Sequence, residues 1–237
     1  MAGCAIHGVG RLVHVSTPSI YFGLDSLVNV REDAPLPTRP VNEYARTKLL
    51  AEAAVDRAFA RGLPVITIRP RAIFGPGDTT ILPRLIARLQ KGRLPIIGDG
   101  RNLSDMTYVE NVVDALLLCA ASPTATLGKK YNITNGEPTP LWPLIEKLCA
   151  ALGYEYPRRH VPYRVADGAA ALLEVVYRLL PGQPEPPLTR YSVALLAKNA
   201  TLDISAARQE LNYQPRVSVA EGLRRFVAWW QASQQRK

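Results

Sequence analysis

Apolar residues follow two different periods along this chain, and the two periods alternate. Short runs predict strands at 11–17, 65–69, 94–97, 130–133 and 201–204, and the first two of these strands are expected to be buried. Longer stretches with an apolar residue every three or four positions predict helices at 43–60, 82–89, 109–121, 141–152, 166–180 and 219–230. Strands that alternate with helices are typical of βα units on a parallel sheet, so we expect an α/β fold.

The composition is that of an ordinary globular protein, with 47% hydrophobic and 21% charged residues among 237. The formal net charge is +9, but the basic residues are scattered and form no stripe with interleaved aromatics. Nucleic acid is therefore not a predicted partner. Cys4, Cys119 and Cys149 have no CxxC spacing, which predicts neither a disulfide framework nor a metal site and favours a reducing cytoplasm.

The apolar stretch 165–180 leaves two interpretations open. It is interrupted by Asp167, Glu174 and Arg178, and it does not reach the roughly 18 uncharged apolar residues of a membrane span. A core helix is slightly favoured. The alternative is a helix that faces lipid or gates a substrate, which would give the protein a peripheral contact with a membrane.

A tyrosine and a lysine share one face of the predicted helix 43–60. Tyr44 and Lys48 are four positions apart, which places their Cβ atoms about 6 Å from each other. An ammonium beside a phenol favours the phenolate, and the phenol can then exchange a proton with a substrate oxygen while a hydride moves. This spacing also occurs by chance in helices, so the pair alone does not define an enzyme.

Two further segments follow predicted strands. Thr17, with Ser16 and Ser19 as rivals, places a hydroxyl at the end of the strand 11–17, where α/β sheets build ligand sites. The segment 69–78 is rich in glycine and proline and follows the next strand. Taken alone, it predicts an ordinary turn.

Four motifs in this order resemble those of the extended short-chain dehydrogenases/reductases: VSTPSIYFG, YARTK, RPRAIFGPGD and GDGRNLSDMTYVENVVDALL. This superfamily also contains NAD-dependent sugar-nucleotide epimerases and dehydratases. The resemblance implies a Rossmann-like doubly wound parallel sheet with a small C-terminal substrate-binding subdomain. It places the remaining dinucleotide-binding domain in residues 1–135 and the substrate subdomain, with interleaved segments, mainly in residues 136–237.

The resemblance also assigns roles to single residues. The catalytic hydroxyl falls on Thr17, which stands four residues before Tyr21, and the general acid/base falls on Tyr44. Lys48 is the family's lysine, which also holds the nicotinamide ribose. The implied cofactor is NAD or NADP, and no metal is implied. The loop that contacts the nicotinamide falls on Pro70, Ala72 and Ile73.

Weaker motifs resemble one branch of this superfamily, the 3β-hydroxysteroid and sterol dehydrogenases. They are NLSD before TYVEN, ITNGEP followed by Trp142, and HVPY before the stretch 165–180. Ser104 stands where sugar-nucleotide enzymes carry an arginine that binds a diphosphate. The implied substrate is a hydrophobic alcohol or ketone, such as a sterol or a long-chain β-hydroxy or β-keto acid, and the family often forms homodimers through the Tyr44 helix.

The sequence departs from the family's pattern mainly in the glycine motif. Gly3, Gly8 and Gly10 precede a strand instead of opening a helix after one, so the strand–GxxGxxG–helix unit is missing, with about a hundred residues around it. We therefore expect an N-terminally truncated sheet whose choice between NAD and NADP is unspecified. The leading function is an oxidoreductase acting on CH–OH groups. The alternatives are a nucleotide-sugar epimerase or dehydratase, and an inactive truncated binding protein.

Overall fold

The computed structural model of the chain describes residues 1–92, 94–182, 184 and 186–235. Its strands are β1 (Leu12–Val15), β2 (Leu27–Val30), β3 (Val65–Pro70), β4 (Ile73–Phe74), β5 (Ile96–Ile97), β6 (Leu103–Ser104), β7 (Thr107–Tyr108), β8 (Lys130–Ile133), β9 (Thr139–Pro140), β10 (His160–Val161) and β11 (Ala200–Leu202). Its α-helices are α1 (Ala2–Ile6), α2 (Glu43–Ala60), α3 (Ile81–Gln90), α4 (Val109–Ala121), α5 (Leu141–Leu152), α6 (Tyr163–Leu179), α7 (Arg190–Ala197), α8 (Ser205–Leu211) and α9 (Val219–Gln234). The bounds of α2, α4, α5 and β8 are those predicted, and the other predicted elements differ by a few residues at their ends.

Helices cover both faces of a parallel sheet formed by β1, β3 and β8, with β3 in the middle. Side chains alternate between the faces of a strand. Ile66 and Ile68 point to one face, where they pack with Val112 of α4. Arg69 points to the other face, toward Glu52 of α2. The arrangement confirms the expected doubly wound α/β sheet.

The strand predicted at 11–17 is shorter and more exposed than expected. β1 covers Leu12–Val15, most of it is half-buried, and Val15 is 38% exposed. Within the described chain, β1 pairs with β3 along one edge only. The prediction of a buried strand is therefore wrong, because a strand with one neighbour leaves its other edge open.

Helix α6 is not a core helix, so the favoured interpretation of 165–180 is wrong. Only Ala166 and Ala170 are buried among its described residues, whereas Leu172 is 66% and Leu179 80% exposed. The buried alanines pack toward α7, and the larger apolar side chains lie away from that contact. Within the described ranges of the chain, no helix combines the length and apolar character that crossing a bilayer requires.

Segments from the two predicted domains interleave. Strand β11 pairs with β2 and β6, which both lie before residue 136. Helix α9 packs on β4 and β7, and a Cβ atom on Gly222 would stand 2.6 Å from Tyr108 and 2.9 Å from Phe74. The division into 1–135 and 136–237 stays a prediction, and Arg236 and Lys237 lie outside the described residues.

A buried ion pair attaches α2 to the sheet. Arg69 Nη2 lies 2.6 Å from Glu52 Oε2, Arg69 Nε donates to Glu52 Oε1 at 2.9 Å, and the two side chains are 3% and 4% exposed. Arg69 Nη1 also donates to the Tyr21 hydroxyl and to the Glu32 carbonyl. Burial acts to raise the pKa of Glu52, but the hydrogen bonds and charge of Arg69 outweigh it and hold that pKa below its ordinary value.

Replacing Glu52 by Gln is expected to lower the free energy of unfolding by about 3–5 kcal/mol, because the buried guanidinium loses its counter-charge. Urea denaturation measures this change. The matched control is Glu43→Gln, which removes the exposed pair with Arg46 and is expected to cost less than about 1 kcal/mol. Equal losses in the two variants would contradict the assignment.

The same pair predicts an acid-dependent loss of stability. Because the pKa of Glu52 is depressed in the folded state, its contribution is present above the ordinary value of 4.5 and is lost as the pH falls through the lower folded value. Glu52→Gln should therefore show a shallower decline of stability below pH 4.5 than the wild type. Parallel declines in the two proteins would count against the pair.

Candidate active site

The catalytic hydroxyl predicted by resemblance lies where β1 ends. Thr17 is the N-cap of a short 3-10 turn, Pro18–Tyr21, and its Oγ1 accepts a hydrogen bond from the Ser19 amide at 3.2 Å. Proline at the first position of the turn fixes φ, and the threonine satisfies a free amide. Thr17 is 6% exposed, so its hydroxyl is held at the sheet edge by local structure.

Three hydroxyl groups form a chain across the candidate site. Thr17 Oγ1 donates to Ser19 Oγ at 3.1 Å, and Ser19 Oγ shares a 3.1 Å hydrogen bond with the hydroxyl of Tyr191, on α7. Ser16 is also buried, but its Oγ has no hydrogen-bond partner among the described residues. The structure thus joins two of the three candidate hydroxyls, those of Thr17 and Ser19, in one chain.

Tyr44 and Lys48 lie in the first two turns of α2. Asn42 starts the helix, because its Oδ1 accepts from the Ala45 amide at 2.8 Å. Lys48 Nζ lies 5.9 Å from the centroid of the Tyr44 ring and donates to the carbonyl of Val15 at 3.1 Å. That carbonyl ends β1, so the lysine lies at the same end of the sheet as Thr17. Tyr44 is 52% exposed and accessible to a ligand.

The predicted nicotinamide loop follows β3, next to β1 in the sheet. Pro70 pairs with Ile133, and the Arg71 amide donates to the Ile133 carbonyl at 3.1 Å. Ala72 has φ +44°, in the left-handed region that favours glycine, and its carbonyl accepts from the Thr107 amide at 3.2 Å. These bonds hold Ala72 and the adjacent Ile73 at the carboxyl edge of the parallel sheet.

Sequence reasoning missed Arg71, which lies inside that loop. Its guanidinium stacks on the Phe22 ring at 4.6 Å, and its Nη2 donates to Ser104 Oγ at 3.3 Å. Burial lowers the pKa of Arg71 and raises that of the nearby Asp105. Tyr191 was also missed. Both residues meet their partners through long-range contacts, which no local spacing in the sequence reveals.

Comparison with known proteins finds a matching family and relatives that carry enzyme names. The 3-beta hydroxysteroid dehydrogenase/isomerase family matches residues 1–163. A 2-alkyl-3-oxoalkanoate reductase from Stenotrophomonas maltophilia is 39% identical over 240 residues, covering 96% of this chain and 71% of the relative. A decarboxylating sterol-4-alpha-carboxylate 3-dehydrogenase from Mus musculus is 35% identical over 232 residues, covering 94% of this chain and 64% of the relative.

A solved structure shows the same fold. UDP-glucuronic acid 4-epimerase from Bacillus cereus, in complex with NAD, superposes with a TM-score of 0.70 at 21% identity. The superposition covers 98% of this chain and 65% of the epimerase. The chain thus spans about two thirds of the length of the proteins compared here, and the expected Rossmann-like architecture is confirmed.

The left-handed backbone conformation of Ala72 predicts that position 72 tolerates glycine better than a β-branched residue. A β-branched side chain is strained there, whereas glycine is not, so Ala72→Val should lower the free energy of unfolding by about 1–3 kcal/mol relative to Ala72→Gly. Thermal unfolding of the two variants measures the difference. A valine variant as stable as the glycine variant would contradict the backbone conformation described here.

Proposed function

The chain belongs to the 3-beta hydroxysteroid dehydrogenase/isomerase family of extended short-chain dehydrogenases/reductases, and we propose that it carries the catalytic residues of an NAD(P)-dependent oxidoreductase. The reaction interconverts the CH–OH group of a hydrophobic alcohol and its ketone. One observation carries the proposal: the Tyr44–Lys48 pair is held at the carboxyl end of β1 by the hydrogen bond from Lys48 to Val15.

The names of the two relatives support a substrate class. One is a reductase of 2-alkyl-3-oxoalkanoates, and the other a dehydrogenase of a sterol 4-carboxylate. Both names give a carboxylate on an alkyl or sterol skeleton and a reaction at carbon 3. We therefore assign this chain a sterol or a long-chain β-hydroxy or β-keto compound as substrate.

The residues at this sheet edge fit the nicotinamide end of a dinucleotide. Lys48 Nζ donates one of its three hydrogens to the Val15 carbonyl, which leaves two hydrogens for ribose hydroxyls. The exposed Tyr44 lies beside Lys48. Pro70, Ala72 and Ile73 supply a fixed backbone edge at the end of the next strand. When bound, NAD or NADP accepts or supplies the hydride at the carbinol carbon.

Tyr44 is the proton carrier in this proposal. During oxidation the phenolate oxygen takes the proton of the substrate hydroxyl, and during reduction the phenol returns it to the carbonyl oxygen. The ammonium of Lys48 lies 5.9 Å from the centroid of the Tyr44 ring. In the free protein Thr17 donates its one hydroxyl hydrogen to Ser19 Oγ, and on substrate binding it donates that hydrogen to the same substrate oxygen instead. Ser19 Oγ keeps its hydrogen bond with Tyr191.

Replacing Tyr44 by Phe should reduce kcat by roughly 10²- to 10⁴-fold, because the ring remains but the proton carrier is lost. The dissociation constants of NADH and NADPH should change little. A matched control is Tyr177→Phe on α6, which should leave kcat unchanged. Steady-state kinetics and fluorescence titration supply the two readouts, and undiminished turnover by Tyr44→Phe would overturn the assignment.

A substrate panel separates this proposal from its rivals. Turnover of sterols or long-chain β-hydroxy acids supports the oxidoreductase, whereas turnover of UDP-sugars alone supports an epimerase or dehydratase. Ser104 favours the first outcome, because it stands where sugar-nucleotide enzymes carry an arginine and is itself buried beside Arg71. Ligand binding without turnover on any substrate identifies a binding protein.

We also propose a peripheral membrane contact through α6. Val165, Leu172, Val176 and Leu179 form one exposed apolar stripe along the helix, at spacings of seven, four and three residues. Exposed arginines lie near its two ends, at 164 and 178, where anionic headgroups would meet them.

Replacing Leu172 and Leu179 together by Asp should reduce co-flotation with phosphatidylserine vesicles at least severalfold, because the apolar stripe is interrupted by charge. The control replaces Leu50, an exposed leucine on α2, by Asp and should leave flotation unchanged. Equal flotation of the double variant and the wild type would refute this contact.

A further inference from the structure

Arg71 is a buried cation without a close counter-charge. The residue is 5% exposed, and no carboxylate oxygen in the described part of the chain lies within 4.0 Å of it. Arg69, two positions earlier, differs sharply, since it lies 2.6 Å from Glu52. Buried charges in proteins are normally paired. The unpaired guanidinium of Arg71 is therefore energetically unfavourable in the free protein.

The hydrogen-bond capacity of Arg71 is mostly unused. Nη2 donates to Ser104 Oγ at a long 3.3 Å, and the buried Nε has no partner among the described residues. Phe22 covers the flat face of the guanidinium at 4.6 Å, which leaves its edges for further hydrogen bonds. A planar donor edge of this kind matches a carboxylate, which can accept two parallel hydrogen bonds.

Asp105 lies near Arg71, but no salt bridge within 4.0 Å joins the two side chains. One of its oxygens, Oδ2, accepts from the Leu202 amide at 2.7 Å, and the other, Oδ1, has no partner in the described residues. Burial acts to raise the pKa of Asp105, and it outweighs the Leu202 hydrogen bond and the charge of Arg71, which act to lower it. The site thus holds a cation and a carboxyl group that are both buried but not bonded to each other.

Arg71 lies against the chain segment that follows Thr17. Phe22, which stacks on Arg71, directly follows the turn that begins at Thr17. Tyr191 forms a hydrogen bond with Ser19, and its electrostatic interaction with Arg71 acts to raise the pKa of Arg71. Phe22 and Tyr191 also line one narrow cleft. The hydroxyl chain therefore connects Thr17 with the surroundings of Arg71.

We propose that Arg71 binds the carboxylate of the substrate and thereby selects β-hydroxy and β-keto acids over alcohols and ketones that lack a carboxylate. In such an acid a single carbon separates the carbinol carbon from the carboxyl carbon, so both groups must bind within one small site. The carbinol oxygen lies at Thr17 and Tyr44, and the carboxylate lies at Arg71. This inference rests on the proposed function, because that function places the carbinol oxygen.

The decisive measurement is the binding of 3-hydroxydecanoic acid and of its methyl ester to the full chain by calorimetry, without turnover. The wild type should bind the acid about 10- to 100-fold more tightly than the ester, the range expected for a charge-assisted hydrogen-bonded pair. Arg71→Met should abolish this preference, and Arg71→Lys should retain part of it. Arg216→Met, which removes an exposed arginine, should retain all of it.

Thermal unfolding of the same variants distinguishes substrate binding from a structural role. If Arg71 awaits a ligand, Arg71→Met should leave the unfolding midpoint unchanged or raise it, because an unpaired buried charge is removed. A midpoint lowered by many degrees, equal binding of acid and ester by the wild type, or an acid preference that persists in Arg71→Met would each overturn the proposal.

The two proposals fail in different ways. Undiminished turnover by Tyr44→Phe would remove the proposed chemistry but would leave the acid preference and its loss in Arg71→Met intact. Equal binding of the acid and the ester by the wild type would rule out the carboxylate site and would leave the role of Tyr44 as proton carrier unaffected.

Discussion

The guanidinium of Arg69 lies beneath α2 and is hydrogen-bonded to the helix, to the turn after β1 and to the segment that follows β2. Its carboxylate partner, Glu52, follows Tyr44 and Lys48 at intervals of eight and four residues, so all three side chains share one face of α2. The rotation of the helix is therefore set by the ion pair. Because Glu52 must meet Arg69, Lys48 meets the end of β1 and Tyr44 lies at the edge of the sheet.

Arg69 and Arg71 show two uses of the same side chain. The first is paired, hydrogen-bonded on several sides and structural. The second is equally buried, yet it has a cation–π contact and one long hydrogen bond. Natural proteins tolerate such an unsatisfied group mainly where function requires it, and this one stacks on Phe22, directly after the turn that begins at Thr17.

The sequence predicts the parts of this structure that depend on local pattern. Helices α2, α4 and α5 are long enough for their apolar period to be unambiguous, and the order of four motifs is sufficient to nominate Thr17, Tyr44 and Lys48. Strands of two residues, such as β4 and β7, are too short to show a period. The exposure of β1 and α6 depends on which neighbours cover them, and apolar content alone does not contain that information. Tyr191 meets Ser19 across 172 residues, so only the folded chain reveals that contact.

The central claim is that the substrate oxygen binds between Tyr44 and Thr17 at the end of β1. A crystal structure of the chain with a nicotinamide dinucleotide and a 3-hydroxy acid tests it most directly. We predict that the hydroxyl oxygen of the acid lies within roughly 2.6–3.2 Å of the Tyr44 hydroxyl, a distance suited to proton transfer. An acid bound with its hydroxyl away from Tyr44, while the nicotinamide lies at Lys48, would contradict the account.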